Sequence, residues 1–481
     1  MGRWLPSVIF LIIGLTYILN NYGGIRSPDC EVVFRVGESL ADRLSFSVSR
    51  PLSWNGFGFS FGRDGRLYAI FGPLESIVLS PLVKFSRIFV NDRWTSVPPS
   101  HYYEDGLKRF LADLSLKEPR PHTLRFIVSY LYLIFSILGT VVFYKIMLKF
   151  VSRTSALTTT LLYGLGTIAW AYAGTLFSEP LAILFILLSF RSLLDGEGVK
   201  SGLALGLASL THLTAVLFAP FFFYYHYCKG KGVKNYVIGI VVPLIFYGLY
   251  NLIRFGSPIE TGRGVSEYIY SYAVPPFSGI YGLLLSSGKG LFFYAPAVIL
   301  GIISWRYLHK KDKVLSFTLI GAILFRLIFI GSRSDWPGGF CLGPRYLLMA
   351  IPFLILPFGL FFEDAITKRR KILISAFLIL IFLFILQQFY FNLGEIFSYL
   401  HIIKMKLTGM GIDPFSHYAI YFNWNVSPLF HILKGKPGPF FLSSWPNLIF
   451  IQVFILILAF VLIGIDIDST TGRNRIQRRR E

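Results

Sequence analysis

The stretch TLRFIVSYLYLIFSILGTVVFYKIM, residues 123–147, is apolar over a length that crosses a lipid bilayer as one helix. Comparable apolar runs recur along the chain, at residues 5–21, 155–173, 178–194, 201–225, 236–253, 290–307, 314–332, 346–362, 371–390 and 446–465. Hydrophobic residues make up 54% of the 481 residues and charged residues only 15%, which leaves too little polar surface for a soluble protein. The pattern predicts an all-α polytopic membrane protein with about 11 to 13 transmembrane helices.

The formal net charge of +21 is concentrated in short loops and at the C-terminus. The basic segments are KFVSR, KGKGVK, HKKDK, TKRRK and the tail GRNRIQRRRE. Such segments stay in the cytoplasm, so we expect residues 466–481 there and a multi-pass protein of the plasma membrane. The extracytoplasmic segments are then 22–122, 254–289, 333–345 and 391–445. No basic-aromatic module accompanies the charge, so nucleic acid is not an expected partner.

Residues 201–225 do not fit the rule that successive loops lie on alternate sides of the membrane. Both of their flanks carry basic segments that are expected in the cytoplasm. One interpretation is a pair of short half-helices that breaks near THLT, Thr211 to Thr214, since broken spans are tolerated inside a protein or beside a wet cavity. The other interpretation is one ordinary crossing beside a neighbour whose side is misjudged.

No soluble domain and no repeat of fixed period is visible, so residues 1–465 are predicted to form a single transmembrane domain. Its first extracytoplasmic loop contains FGPLESIVLSPLVKFSRIF, residues 71–89. Pro73 suits the first position of a helix and Glu75 its first turn, and the apolar and basic residues that follow predict an interfacial helix. The three cysteines are far apart and form no CxxC, so neither a disulfide framework nor a zinc-thiolate site is predicted.

The segment SPDCEVVFR, residues 27–35, directly follows the first apolar run and carries Asp29 and Glu31. A purely structural interpretation is a helix start, with Ser27 as cap, Pro28 at the first position and the acids favoured by the helix dipole. A functional interpretation is a general base, or a ligand for a divalent metal, close to the membrane surface. The two are compatible, because a carboxylate fixed in a first helical turn is well positioned for catalysis.

The segment SRSDWPGGFCLGPRYLL, residues 332–348, enters a predicted span and is rich in Gly, Pro, Arg and aromatic residues. Arg345 at the membrane edge could clamp a phosphate with two hydrogen bonds, and Asp335, Trp336 and Tyr346 are candidate substrate contacts. Alternatively, Arg345 extends to lipid headgroups while the aromatic residues anchor the chain at the interface.

Other candidates are scattered along the chain. Arg263 and Lys289 in the segment 254–290 could meet a lipid phosphate, although SSGKG lacks the strand and spacing of a nucleotide-binding loop. Asp64 and Arg66 in GRDGRLY are expected in a polar turn but could contact a substrate.

Three ionisable residues lie within or beside predicted spans, and such residues are often functional. Glu179 is either a first-turn acid or a substrate contact. His212 is more typical of a hydrogen-bonded buried histidine than of a ligand. Arg326 could extend to the membrane surface.

Four stretches together resemble the GT-C superfamily of integral-membrane glycosyltransferases. They are GGIRSPDCEVVFRVGESLADR, GRDGRLYAIFGPLESIVLSPL, TLFSEPLAILF and WPGGFCLGPRYLLMAIPFLILP. The likeness points to the bacterial and archaeal branch related to protein O-mannosyltransferases and the lipid A aminoarabinose transferase. It extends from about residue 23 to residue 360, and the last part of the chain contributes little.

The resemblance implies transfer of a sugar from a polyprenyl-phosphate carrier to a glycan, lipid or protein acceptor at the outer face. It makes Asp29 the candidate base, with Glu31 as its partner or a metal-assisting acid, and Arg345, Arg263 and Lys289 the candidates for the carrier phosphate. One departure concerns Glu31: the family commonly has adjacent Asp-Glu, whereas Cys30 separates the two here, and positions i and i+2 of a helix point apart. No ATP is required, and a divalent metal is possible.

The rival class is a flippase or secondary transporter for a lipid-linked sugar, which broken helices and buried charges would suit. The long first loop, the absence of a visible inverted repeat and the polar residues clustered at one face favour the transferase. A third interpretation is a non-catalytic membrane protein on the same scaffold, in which Asp29 only caps a helix.

Overall fold

The computed structural model describes residues 4–21, 23–25, 27–49, 58–90, 119–264, 275–339, 341–412, 417–435 and 446–477. The α-helices in these ranges are α1 (Leu5–Leu19), α2 (Pro28–Arg43), α3 (Pro73–Arg87), α4 (Pro119–Met147), α5 (Arg153–Leu165), α6 (Ala169–Ala173), α7 (Ser178–Asp195), α8 (Gly198–Thr211), α9 (Ala219–Cys228), α10 (Val233–Phe255), α11 (Pro276–Leu285), α12 (Leu291–Tyr294), α13 (Ala297–Ile303), α14 (Trp305–Lys311), α15 (Lys313–Gly331), α16 (Ile351–Thr367), α17 (Lys371–Leu393), α18 (Ile396–Gly409), α19 (His417–Ile420), α20 (Pro428–His431) and α21 (Pro446–Gln477). Short 3₁₀ helices lie at Leu213–Phe218, Arg345–Ala350, Trp424–Val426 and Ile432–Lys434.

Within the described ranges, six helices are long and apolar enough to cross a membrane. They are Thr123–Met147, Val233–Phe255, Lys313–Gly331, Arg345–Thr367, Lys371–Leu393 and Leu448–Ile467, each at a predicted span. The remaining predicted spans consist of shorter helices, such as α5 followed by α6, and α12 followed by α13 and α14. The prediction of an all-α polytopic membrane protein is confirmed.

The first loop carries the elements that position the site. Helix α2 begins at Pro28 and α3 at Pro73, as the sequence predicts. The two helices pack closely because Gly37 has no side chain: a Cβ there would lie 3.0 Å from Leu79 Cβ. The Ser76 hydroxyl also donates to the Val33 carbonyl at 2.9 Å and ties α3 to α2.

A small antiparallel sheet in the same loop was not predicted. Strands β1 (Ser47–Val48), β2 (Phe59–Phe61) and β3 (Leu67–Ala69) have the order β1-β3-β2. The β2–β3 turn docks on the end of α10, where the Arg63 amide donates to the Arg254 carbonyl at 2.9 Å. The buried Arg254 side chain also donates to the Ala69 carbonyl at the end of β3, at 2.5 Å. We refer to this end of the bundle, which also carries α2 and α3, as the α2 end.

Residues 201–225 form two short helices rather than one crossing. Helix α8 ends before His212, whose backbone is extended (φ −139°, ψ 110°), and the chain continues through Leu213–Phe218 into α9. The far end of α9 returns to the start of α8, because a Cβ on Gly198 would lie only 2.3 Å from the Gly232 carbonyl oxygen. The chain therefore reverses at His212, and the pair of half-helices is confirmed.

The reversal places His212 at the α2 end. A Cβ on Gly72, directly before α3, would lie 2.2 Å from the Leu210 carbonyl oxygen near the end of α8. Along its length α8 packs on α10 through small residues, since a Cβ on Gly202 would lie 2.1 Å from the Tyr236 carbonyl oxygen. Close approach of glycine faces is the usual way helices associate in a membrane.

Candidate active site

The candidate site is built around Arg345, which begins the 3₁₀ helix before α16 and is 7% exposed. Its Nη1 donates to Asp29 Oδ2 at 2.8 Å, and its Nε lies 3.3 Å from Glu179 Oε1. The guanidinium carbon lies 4.4 Å from the ring centre of Phe177 and 5.1 Å from that of Tyr346. Residues from three distant parts of the sequence thus meet at one arginine. We call Arg345, Asp29, Phe177, Glu179 and Tyr346 the Arg345 cluster.

Asp29 is the open member of this cluster. It occupies the first turn of α2, and its side chain is 26% exposed, compared with 1% for Glu179. The helix starts where the structural interpretation predicted, but the Ser27 side chain makes no capping hydrogen bond. Asp29 therefore combines a fixed position at a helix start with a carboxylate that a substrate can reach.

Glu31, predicted as a partner of Asp29, forms ion pairs with two arginines instead. Its carboxylate is fully buried and accepts hydrogen bonds from Arg125 at 2.6 Å and 3.0 Å and from Arg35 at 3.0 Å. Burial by itself raises the pKa of Glu31, but the two guanidinium groups outweigh it and lower that pKa below its ordinary value. The two-residue separation directs the two acids to different partners, and Glu31 acts as a buried counter-ion.

Glu75 is a member of the site that sequence reasoning missed. It lies in the first turn of α3, is 1% exposed and contacts the Tyr132 hydroxyl at 3.0 Å. Burial raises the pKa of Glu75 well above its usual range and outweighs the hydrogen bond with Tyr132, which lowers that pKa. The negative charges of Glu179 and Asp29 raise it further, and Arg345 lowers it. The sequence places Glu75 in the first turn of a predicted helix. That position by itself indicates only a favourable interaction with the helix dipole and not a place in the site.

His212 and Arg326 form the wall beyond Glu179. His212 Nε2 lies 3.9 Å from Glu179 Oε1, while its Nδ1 is 2.9 Å from the Thr214 hydroxyl. Arg326 donates to the Thr214 carbonyl at 2.9 Å and to the Tyr346 carbonyl at 2.7 Å. Arg326 therefore points inward and closes the helix break, rather than extending to the membrane surface as one interpretation predicted.

Of the three predicted phosphate ligands, Arg263 is the one whose charged group is least engaged by other described residues. It is half-buried, and its guanidinium carbon lies 5.8 Å from the ring centre of Phe71. Its positive charge acts on the imidazole of His212, as do those of Arg326 and Arg345, so it belongs to the same neighbourhood. Among the residues that the structure describes, it has no ion-pair partner.

Lys289, the third predicted phosphate ligand, is buried, and its ammonium forms hydrogen bonds with the loop before Arg345. Its ammonium donates to the Gly339 carbonyl at 2.8 Å, to the Cys341 carbonyl at 2.7 Å and to Cys341 Sγ at 3.1 Å. These contacts account for the three protons of an ammonium group. Lys289 is therefore placed as a support of this loop rather than as an open anion ligand.

The other predicted substrate contacts divide between the site and its surroundings. Tyr346 belongs to the site, because its ring centre is also 6.0 Å from that of His212. Asp335 pairs with Arg333 at 2.5 Å and is 41% exposed. Trp336 is 2% exposed and packs against Gly282, so its ring faces neither lipid nor an open site.

Asp64 and Arg66 are not joined to the Arg345 cluster by any contact that the structure describes. They form the exposed β2–β3 turn, in which Asp64 accepts from the Arg66 amide at 3.0 Å and from the Tyr68 hydroxyl at 2.8 Å. The backbone of Gly65 between them has φ +75°, which a turn of this kind requires. The polar-turn interpretation is the one that their contacts support.

The cluster has the parts needed for acid–base chemistry on an anionic substrate. It contains one reachable carboxylate, a buried arginine that orients it and the buried acid Glu179. The buried acid Glu75 and the half-buried Arg263 lie nearby. Within the described ranges, no group of three or more His, Cys, Asp or Glu side chains could hold a metal ion.

Comparison with known proteins places the chain in a family. Residues 122–401, which include Glu179 and Arg345 but not Asp29, match the EpsG family. The fold is similar to that of ArnT from Cupriavidus metallidurans in the apo state, with TM-score 0.45 and 13% identity over 96% of this chain and 77% of that one. For the same protein bound to undecaprenyl phosphate the TM-score is 0.47 and the identity 12%, over 90% and 78%. No curated protein matches the sequence. Because the matched segment spans more than half of the chain, the protein belongs to the EpsG family, a GT-C-like family of membrane glycosyltransferases.

Proposed function

We propose that this protein transfers a sugar from a polyprenyl-phosphate donor to an extracytoplasmic acceptor, with inversion at the anomeric carbon and Asp29 as general base. The observation that carries the proposal is the hydrogen bond from Arg345 to Asp29, at 2.8 Å, which orients the one reachable carboxylate of a buried cluster. A general base has to lie within hydrogen-bonding reach of the proton it removes, and the exposure of Asp29 permits this.

In this mechanism Asp29 takes the proton from an acceptor hydroxyl or amine. The acceptor atom then forms a bond to the anomeric carbon, from the face opposite the phosphate. The carbon–oxygen bond to the phosphate breaks, and the polyprenyl phosphate leaves with the electron pair. The reaction needs no nucleotide at the site because the sugar–phosphate bond is already activated.

The basic residues divide into two roles. Arg345 holds Asp29 and lies beside Glu179, so its charge is largely balanced within the protein. Arg263 is half-buried and has no ion-pair partner among the described residues, which makes it the better candidate for the leaving phosphate. Fixed positive charge near a leaving group stabilises the charge that develops on it.

Transport is the second candidate, because the helix break at His212 is of the kind that transporters use to bind a substrate at mid-membrane. Here, however, the polar groups of the break are occupied. The Thr214 carbonyl and hydroxyl both accept from Arg326, and the hydroxyl also contacts His212. The break lies beside the Arg345 cluster at the α2 end, which favours a wall of that site over a separate transport site.

The test is sugar transfer by the purified protein in lipid vesicles, supplied with radiolabelled polyprenyl-phosphate sugars and crude envelope acceptors. We expect Asp29→Asn to lose transfer by about 10²- to 10⁴-fold, the range for loss of a general base. The matched control is Asp42→Asn, because Asp42 lies on the same helix but pairs with the exposed Arg87. Transfer that persists in Asp29→Asn would show that Asp29 is not the base and only begins helix α2. Movement of the lipid carrier across the bilayer without sugar transfer would support transport.

A further inference from the structure

Glu75 has no role in the proposed transfer step, yet it lies among the residues that carry it out. The acids in this neighbourhood are Asp29, Glu179 and Glu75, and Arg345 pairs with the first two only. The contact that the structure gives the Glu75 carboxyl is with the Tyr132 hydroxyl, at 3.0 Å. A buried acid without a cation of its own is stable in its neutral form, because an unpaired buried charge is costly.

The Tyr132 hydroxyl connects Glu75 to the site. Besides Glu75 Oε1 at 3.0 Å, it lies 3.4 Å from the Phe177 carbonyl oxygen. Phe177 directly precedes α7, and its ring lies under the guanidinium of Arg345. Glu179 follows two residues later, so the turn at Phe177 presents both an aromatic face and a carboxylate to Arg345.

A hydroxyl group has one proton to donate. If Glu75 is ionised, it attracts that proton, and the Tyr132 hydroxyl no longer donates to the Phe177 carbonyl. If Glu75 is protonated, its own proton goes to the Tyr132 oxygen, and the Tyr132 proton is then available to the Phe177 carbonyl. The protonated form therefore completes a hydrogen-bond chain from α3 through α4 to the turn before α7.

We propose that Glu75 is a positioning residue that acts in its protonated form: it donates to Tyr132, which donates to the Phe177 carbonyl and holds Phe177 and Glu179 against Arg345. This inference rests on the proposed sugar transfer, to which it adds a residue that positions the site. Glu75 touches no reacting atom, so it acts on the rate through the geometry of the Arg345 cluster. Small displacements of a catalytic group are enough to reduce rates strongly.

The groups that face Glu75 define the expected pH dependence. They are Tyr132 on α4, Asp29 and Cys30 on α2, Glu179 on α7 and Arg345 before α16. All of them are retained when Glu75 is changed to Gln, whose amide also donates to Tyr132 but cannot ionise. A difference between wild type and Glu75→Gln therefore reports on Glu75 alone.

The activity test compares transfer by wild type, Glu75→Gln, Glu75→Ala and Tyr132→Phe between about pH 5.5 and about pH 9. We expect Glu75→Gln to keep transfer within a few-fold of wild type and to remove the decline of wild type at high pH. Glu75→Ala and Tyr132→Phe should each lose about 10- to 100-fold, because the chain to Phe177 is broken. Loss of transfer in Glu75→Gln as large as in Glu75→Ala would show that the negative charge is needed, and would overturn the proposal.

A second readout does not depend on transfer. Because burial raises the pKa of Glu75 in the folded protein, the protonated acid stabilises the fold at low pH, and this contribution is lost as the pH rises through the raised pKa. The melting temperature of wild type should therefore fall relative to that of Glu75→Gln as the pH is raised. If wild type shows no transfer, the proposed function fails, but this difference still decides whether Glu75 is held protonated. Parallel melting curves at all pH values would contradict the inference.

Discussion

At the scale of single residues, two acids on one helical turn have opposite roles. Asp29 is partly exposed and oriented by one arginine, whereas Glu31 is buried between two. Helical phase alone predicted that they would point apart. Which of the two would be the buried one depended on Arg125, whose distance of 94 residues from Glu31 along the chain gives no local signal.

The role of Glu31 as a counter-ion makes a prediction about stability. Glu31→Gln removes the fully buried carboxylate that pairs with both Arg125 and Arg35, and leaves Arg125 with its longer contact to Glu38, at 3.6 Å. We expect a loss of about 3–5 kcal/mol in the free energy of unfolding. Asp42→Asn on the same helix breaks a solvent-exposed pair and should cost less than about 1 kcal/mol. Thermal unfolding in detergent or vesicles measures both, and equal effects would contradict the assignment.

The same residue predicts a pH effect of a definite sign. The folded-state pKa of Glu31 lies below its ordinary value of 4.5, so its stabilising contribution is present above that value. The contribution is lost as the pH falls through the lowered pKa, because protonation removes the charge that Arg125 requires. Wild type should therefore approach the stability of Glu31→Gln in acid, and a constant difference between the two would refute this explanation.

Arg263 supplies a residue-scale prediction about the donor. Because it is half-buried and has no ion-pair partner among the described residues, Arg263→Gln should leave the melting temperature nearly unchanged. We expect KM for the polyprenyl-phosphate sugar to rise about tenfold, as the loss of one charge-assisted hydrogen bond predicts. Arg263→Lys keeps the charge and should recover part of the affinity. An unchanged KM in Arg263→Gln would assign the phosphate to another cation.

At the scale of elements, the helix pair α8–α9 was one of two interpretations that the sequence left open, and the sheet was not predicted. The basic segments on both flanks indicated the break near Thr211–Thr214, but a single crossing beside a misjudged neighbour would have fitted them as well. The strands are only two or three residues long, too short to show an alternating pattern. Their position depends on Arg254, which binds the Ala69 carbonyl from the end of α10.

The packing of α8 on α10 predicts which glycines tolerate a side chain. A Cβ on Gly202 would lie 2.1 Å from the Tyr236 carbonyl oxygen, and backbone atoms cannot move aside without separating the helices. We expect Gly202→Ala to cost about 1–3 kcal/mol, the range for overpacking. The control is Gly139→Ala in α4, where nothing lies within 4 Å of the added atom. Thermal unfolding should separate the two variants, and equal stability would contradict the contact.

At the scale of the whole molecule, hydrophobic runs and basic loops together predicted the architecture. Each of the six long membrane helices that lie in the described ranges falls on a predicted span, because length and apolar composition are sufficient to define a bilayer crossing. The candidate site was only partly predictable. Asp29, Arg345, Glu179 and Tyr346 were singled out and are in contact, whereas Glu75 required the tertiary structure that buries it beside them.

The charge distribution also predicts which face of the membrane carries the site, and the native cysteines allow this to be measured. Cys228 is exposed at the end of α9, beside the basic segment KGKGVK, whereas Cys30 and Cys341 are buried. A thiol reagent that cannot cross membranes should modify Cys228 only after the cells are permeabilised, because basic loops remain in the cytoplasm. Cys228→Ser should abolish the labelling. In that background Arg66→Cys, on the exposed turn at the α2 end, should be labelled in intact cells. The opposite pattern would place the Arg345 cluster at the cytoplasmic face, where an extracytoplasmic acceptor could not reach Asp29.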